Sequence, residues 1–440
     1  MKDRIEIGMN SYMMTPENFG GVNHMILGAP GTGKTRYLLE PMLLQMSNAS
    51  HIIVDIKGSL YDRLNDRLVD SGYRTECYDF IDMEGLCYNP IEEVHSEEDA
   101  LAVATAIAGR TSGVEDPFWN RSVINILAAV IGYGAEFRKH RGRYMKVEER
   151  LYNTGTIGRR EYMRNFRMMD EIPEGEPLGL PFVIDMIAEC SGINEPGQDP
   201  TTVEERFHML MAYMDPEWWP GKRFRAFTAA SDRTISSIIA TFSSLTNAFR
   251  TEAMRRILSR SHFSVDSFAR EKKAVFIQLK DYDTSLHQVA AIMITQAING
   301  LLRIAGKGHL DIPVQVWMDD CGSYVVPGLS DKMSCCRSRG IGFTLLCQSE
   351  HQLRSGYGHD EAETIIQCCH SYFYLGGEDY ESTHRISVRG DLPQSEILAM
   401  DREYMYLIQQ GQRLRRIRKM NESEKMRVES LALGEGREER

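Results

Sequence analysis

The chain reads HMIL from His24 to Leu27, then Gly28-Ala29-Pro30-Gly31-Thr32-Gly33-Lys34-Thr35, then RYLLEPMLLQM as far as Met46. A short apolar run, the full pattern G-x-x-x-x-G-K-[ST] and a helix-compatible stretch are the strand, loop and helix of a phosphate-binding loop. The glycines let backbone N–H groups curl around phosphate oxygens, and the helix N-terminus adds its positive end. Gly28, Ala29, Pro30, Gly31, Thr32, Gly33, Lys34 and Thr35 are therefore the expected nucleotide cradle. Lys34 is expected to reach the β- and γ-phosphates of ATP, and the Thr35 hydroxyl to bind Mg²⁺.

A second half of such a site lies far along the chain. Val314-Gln315-Val316-Trp317-Met318-Asp319-Asp320 is an apolar strand that ends in an acidic pair, the form of a Walker B element. Asp319 is expected to hold Mg²⁺ through water, and Asp320 to polarise the attacking water. Asp319 stands 285 residues after Lys34 (319 − 34), too far for a nucleoside monophosphate kinase or a simple ATPase module. A domain inserted within the ATPase core accounts for the gap.

Working outward, short apolar runs at His24–Leu27, His51–Asp55, Ala274–Leu279, Val314–Met318, Ile341–Cys347 and Tyr372–Leu375 read as buried strands, with a weaker one at Glu403–Gln409. Helical stretches such as Glu361–Cys369 separate most of them. Alternation of this kind predicts an α/β fold with a mainly parallel sheet. Between residues 96 and 245 the pattern turns helical, with Val123, Leu127, Val130 and Ile131 on one stripe and Ile235, Ile238, Ile239, Phe242 and Leu245 on another. Asp170–Asp199, punctuated by Pro173, Pro177, Pro181 and Pro196, reads as a long surface excursion. The expected organisation is a nucleotide-binding domain in two parts (1–95 and 246–410), an inserted all-α domain (96–245) and a charged tail (411–440), helical or frayed.

Composition narrows the partners. The 440 residues carry a net charge of −11, so nucleic acid must be met by local patches rather than by the whole surface. Two patches are candidates: Arg413, Arg415, Arg416, Arg418 and Lys419, and Arg138, Lys139, Arg141, Arg143 and Lys146. Each reads either as phosphate contact on a strand or as a solvated face of an acidic chain. Nine cysteines without a CxxC pair, two pairs of them adjacent, point to a reducing cytoplasm and not to a disulfide framework. Cys347, His351, His359, Cys368 and Cys369 have no metal-ligand spacing. The longest apolar stretch, Val123–Tyr133, is too short for a membrane span, and the first ten residues lack a signal-peptide core.

Further segments resemble one family. Ile53-Val54-Asp55-Ile56-Lys57-Gly58-Ser59-Leu60 is similar to its apolar-Asp-Pro-Lys-Gly-Glu element, with Ile56 for the proline and Ser59 for the acid. Tyr88-Asn89-Pro90, Asp116-Pro117-Phe118-Trp119, Cys336-Arg337-Ser338-Arg339-Gly340-Ile341, Cys347-Gln348-Ser349 and YFYLGG follow in order. Together they resemble the TraG/TraD-type coupling proteins of conjugation and type IV secretion, over roughly residues 20–410. That resemblance implies a RecA-like ATPase ring, a hexamer, that brings a relaxase-bound single strand of DNA to the secretion channel. It implies a γ-phosphate sensor at Gln348, an arginine supplied to the neighbouring subunit's nucleotide at Arg339, and nucleotide-cleft positions at Asp55 and Lys57. Asp320 departs from the family's usual glutamate. The family's N-terminal membrane helices have no counterpart, so membrane contact is expected through a partner or a missing anchor, at the inner face of the bacterial cell membrane. A FtsK- or HerA-like duplex DNA motor is one alternative, although the stretch after residue 411 is short for its winged helix. A nucleotide-binding adaptor that recruits secreted proteins is another.

Overall fold

Seven strands pair in parallel in one sheet: β3 (His24–Leu27), β4 (Ser50–Ile56), β5 (Arg74–Asp79), β7 (Lys273–Leu279), β8 (Val314–Met318), β9 (Ile341–Cys347) and β10 (Ser371–Tyr374). Three antiparallel strands extend the edges: β6 (Glu84–Gly85) on one side, β11 (Tyr404–Gln409) and β12 (Arg415–Arg418) on the other. The order across the ten-stranded sheet is β12-β11-β10-β3-β9-β8-β4-β7-β5-β6. A separate hairpin joins β1 (Arg4–Gly8) and β2 (Ser11–Met14). This computed structural model describes residues 4–9, 11–14, 21–108, 117–155, 157–190, 218–228 and 232–433. The chain divides into two units, residues 1–85 with 265–440, and residues 86–264.

In the first unit every residue of β3, β4, β7, β8 and β9 is buried, as strands covered by helices on both faces must be. One face presents Ile26, Ile53, Phe276, Trp317, Leu346 and Phe373 to Leu39, Met42, Leu43, Leu60, Leu64 and Leu68. Those leucines lie on the helix after the phosphate-loop motif (Lys34–Leu39, then Glu40–Gln45) and on the helix Ser59–Asp70, where positions 60, 64 and 68 repeat at helical spacing. Truncating Leu64, which has no exposed surface, costs about 2–5 kcal/mol by lost transfer energy and the cavity left behind.

The stretch expected as a charged tail belongs to this unit. Ile417 is buried between exposed Arg416 and Arg418, the period-2 alternation of a strand, and Met405 lies opposite it on β11. A helix follows at Glu422–Leu433. Another difference concerns Thr284–Ala305, 22 residues that include an 18-residue window of mean hydropathy 1.3, long and apolar enough to cross a membrane, where the sequence pattern pointed to no such segment. Within the protein 67% of that window is buried, and Ile292, Ile294, Ile298 and Leu301 are core residues.

Among its described residues the second unit is built of helices, including Glu97–Ala108, Pro117–Asn153, Arg159–Glu171, Leu180–Cys190, Trp219–Thr228 and Asp232–Thr246. Within the expected surface excursion, residues 172–179 are irregular, Leu180–Cys190 is a helix, and residues 191–199 lie outside the described residues. Pro181 stands in the first turn, where no intrahelical N–H is required, while Leu180, Val183, Ile184 and Ile187 make a buried stripe. The unit also takes in residues 86–95 and 246–264. The Tyr88 N–H donates to the Ile257 carbonyl at 2.9 Å, and buried Ile91 packs against Gly134.

Candidate active site

The phosphate loop leaves the carboxyl end of β3 and is sewn to the strands on either side. The Gly28 N–H donates to the Cys347 carbonyl of β9 (3.3 Å), and the Ala29 N–H to the Gly376 carbonyl just beyond β10 (2.8 Å). The Thr32 hydroxyl turns back to the Ala29 carbonyl at 2.8 Å. Gly31 and Gly33 have φ of +77° and +88°, a region costly for other residues. At Gly33 a Cβ would also lie 2.4 Å from the Tyr37 ring. The Lys34 ammonium lies along the loop, donating to the carbonyls of Gly28 (2.6 Å) and Ala29 (3.4 Å). Burial lowers its pKa, and the nearby charges of Asp319 and Asp320 pull it back up. Thr35 stands in the first turn of the helix Lys34–Leu39.

The acidic pair ends β8, two strands away from β3, with β9 between them. Burial raises the Asp319 carboxyl to about 7; the Asp320 charge adds to this, and Lys34 opposes it. Asp320 has φ of +48°, a left-handed turn position that Asp and Asn tolerate better than most side chains. Its N–H donates to Asp319 Oδ1 (3.1 Å), and its carbonyl accepts from the Ser323 hydroxyl (2.9 Å). The next residue ties the turn to β9, as the Cys321 N–H donates to the Leu346 carbonyl (2.9 Å) and Cys321 Sγ lies 2.6 Å from Cys347 Sγ. A hydroxyl at Thr35 and carboxylates at Asp319 and Asp320 are hard oxygen donors, the set that suits Mg²⁺.

Gln348 emerges from β9 with an exposed side chain, between the loop on β3 and the turn on β8. Strand order thus assembles Gly28–Thr35, Asp319, Asp320 and Gln348 at one edge of the sheet. One residue of this cluster was not singled out from sequence. Gln352 donates from Nε2 to Asp320 Oδ1 at 2.7 Å and accepts the Gln348 N–H at 2.9 Å, so one amide bridges the acidic turn and the end of β9. Its only signal in the sequence is a polar side chain four residues after Gln348, in the first turn of the helix Glu350–Tyr357.

Other candidates have different positions. Asp55 Oδ2 accepts the N–H groups of Leu60 (2.9 Å) and Tyr61 (3.1 Å), which caps the helix Ser59–Asp70. Burial raises its pKa, and its charge contributes to the raised pKa of Asp319. Lys57 is exposed at φ +109° with Nζ 3.6 Å from Asp281 Oδ2. Arg339 precedes β9, whereas Gln348 follows it. The seven residues of β9 between them span about 23 Å at about 3.3 Å each, so the two flank opposite ends of the strand. The Arg339 guanidinium donates to the carbonyls of Gly306 (3.2 Å) and Cys335 (2.9 Å).

Much of the basic character also has internal partners. Arg138 donates to the carbonyls of Ile91 and Val94, Arg141 to that of Ile172, and Lys139 pairs with Glu136. Arg415 donates to the Tyr12 carbonyl, Arg416 stacks 4.2 Å over the Tyr404 ring, and Arg418 pairs with Glu403. Lys419 is buried, and its ammonium donates to the Thr32 carbonyl of the phosphate loop (3.0 Å) and to the Leu375 carbonyl (3.2 Å). Desolvation lowers its pKa to about 8. Arg143, Lys146 and Arg413 are exposed.

Solved structures with this architecture were found. The conjugative coupling protein TrwBdeltaN70, in an unbound monoclinic form, matches with a TM-score of 0.63 at 15% identity, covering 92% of this chain and 86% of its own. TrwB in complex with ADP and Mg²⁺ matches with a TM-score of 0.59 at 14% identity, over 92% and 87%. VirB4 of Thermoanaerobacter pseudethanolicus matches with a TM-score of 0.53 at 13% identity, over 96% and 97%. At such identities the likeness speaks for the fold. No curated protein sequence matches the chain. The family model for conjugative DNA transfer by the type IV secretory system matches residues 2–390, and the chain belongs to that family.

Proposed function

We propose that this protein is a P-loop ATPase that couples DNA to a type IV secretion channel during conjugative transfer. The observation that carries this reading is the order β3-β9-β8, which brings Lys34, Gln348, Asp319 and Asp320 from three strands to one edge of the sheet. Membership of the conjugative DNA transfer family supports the coupling role, and the TrwB complex with ADP and Mg²⁺ supports the ligands.

In this reading the N–H groups of the loop and the Lys34 ammonium bind the phosphates of ATP. Lys34 compensates charge that develops in the transition state, when the terminal phosphoryl group departs. The Thr35 hydroxyl and, through water, Asp319 would hold Mg²⁺, which would supply positive charge beside the phosphates. Asp320 accepts a hydrogen bond from the attacking water, with its carboxylate aimed by Gln352. Gln348 reads the γ-phosphate.

The finer assignments belong to the same proposal. Arg339 lies too far from its own loop to serve it, the placement required of a residue given to a neighbouring copy in a ring, for which we take six subunits. The transported partners are a single DNA strand and its relaxase, met at the inner face of the bacterial cell membrane. Steady-state ATP hydrolysis tests the catalytic core. Lys34→Ala should lose turnover by orders of magnitude, and Asp320→Asn should keep ATP binding while losing turnover. A folded Lys34→Ala variant with the wild-type rate would rule out the loop as the site.

A further inference from the structure

The residues from Lys419 to Glu429 reach the phosphate loop and its helix repeatedly. Glu422 pairs with Arg36 at 2.9 Å and accepts the Tyr37 hydroxyl at 3.0 Å. Lys425 pairs with buried Glu40 at 2.7 Å, and Glu429 with Arg67 of the neighbouring helix Ser59–Asp70 at 2.8 Å. At the head of this series is Lys419, whose ammonium joins two main-chain carbonyls: Thr32 within the loop, and Leu375 at the end of β10. The loop is tied to the same place by the Ala29 N–H on the Gly376 carbonyl, so Lys419 makes the second tie between loop and β10.

The geometry of the peptide gives this contact a consequence for ligand binding. In a planar trans peptide the C=O of one residue and the N–H of the next point in opposite directions. A cation that grips the Thr32 carbonyl therefore turns the Gly33 N–H away from itself, into the loop. With Gly on both sides of Thr32 the backbone there has unusual freedom to rotate. We propose that Lys419 is a positioning residue of the phosphate loop, holding the Thr32–Gly33 peptide so that its N–H faces the phosphates of a bound nucleotide. A segment near the C-terminus, beyond the residues 2–390 that the family model matches, thereby sets nucleotide affinity. The inference rests on the assignment of Gly28–Thr35 as the nucleotide cradle.

The test uses the full chain with ADP and Mg²⁺ as the probe, by titration calorimetry, beside thermal melting with and without ADP. Lys419→Met removes the donor at similar length, Lys419→Gln keeps a neutral donor, and Lys419→Arg keeps the charge. Losing a charged hydrogen bond that orders the loop predicts a rise in Kd of about tenfold or more for Lys419→Met. The Gln variant should fall between Met and wild type, and Arg should recover most of the affinity. KM for ATP should rise with Kd while kcat changes less. If Lys419 served only the stability of β12, melting without ADP would drop while the ADP Kd of the folded protein stayed at the wild-type value. That result, in Met or, should Met not fold, in Gln, would overturn the proposal. Wild-type protein that binds no ADP would instead overturn the cradle assignment itself, and with it the role of Lys419.

Discussion

Replacing Gln352 with alanine probes the acidic turn without touching a group that meets the nucleotide. In the intact protein Gln352 Nε2 lies 2.7 Å from Asp320 Oδ1, and its Oε1 takes the Gln348 N–H at 2.9 Å. The stem of Gln352 passes so close to Gly322 that a Cβ there would lie 2.5 Å from its Cγ, and the Gln352 N–H is held by Ser349 Oγ at 3.1 Å. A hydrogen bond to a charged acceptor contributes about 1.5–3 kcal/mol. If that aim is realised only when Asp320 polarises water, its loss lowers kcat by roughly 10- to 150-fold at nearly unchanged ATP affinity. Steady-state ATPase kinetics and ADP binding on the same preparation separate the two quantities. A double-mutant cycle with Asp320→Asn provides the control: because Gln352 acts through Asp320, the two losses should fall short of additive. A folded Gln352→Ala variant with wild-type kcat, or fully additive losses, would refute the bridge.

Three further outcomes follow from particular contacts. Gly33→Ala forces a side chain into φ +88° and against Tyr37, so ADP binding should fall at least tenfold while the fold persists; unchanged affinity would contradict the loop geometry. His24 is fully buried, and desolvation lowers its pKa to about 3. Its folded value lies below the unfolded one, so the unfolded chain binds the extra proton, and stability is lost as pH falls from about 6.5 toward 3. The slope is up to about 1.4 kcal/mol per pH unit from this group, and denaturant unfolding of His24→Leu should show a shallower acid slope than wild type. Finally, Lys34→Ala and Arg339→Ala should each be nearly inactive alone and partly active when mixed, since some interfaces then combine an intact loop with an intact arginine. No recovery on mixing, with activity independent of concentration, would leave Arg339 as a surface residue.

The parts of the fold legible in the sequence are those with strong local signals. HMIL before the loop, VQVWM before the acidic pair and IGFTLLC before Gln348 are mostly apolar, and each is a buried strand of the parallel sheet. What escaped had a mixed or misleading local pattern. Arg74–Asp79 carries charge along its length yet pairs in parallel with β7 as a penultimate strand. The Arg-Arg-Ile-Arg of β12 looks like a solvated patch because only Ile417 faces inward, and the prolines after Asp170 concealed the helix Leu180–Cys190, whose first turn accommodates Pro181. In the site, motif residues were visible because phosphate and Mg²⁺ demand particular side chains at fixed spacing. Gln352 was not, and Lys419 was legible only as part of a basic patch, because their partners, a carboxylate 32 residues away and a carbonyl 387 residues away, are neighbours only after the sheet has formed.

The central claim, an ATPase that works on DNA, is tested most directly by ATP turnover with and without single-stranded DNA over a range of protein concentrations. The account predicts turnover that rises as subunits associate, is stimulated by the DNA strand, and vanishes in Asp320→Asn at retained ATP binding. Turnover indifferent to DNA and to concentration, or equal in wild type and Asp320→Asn, would contradict it.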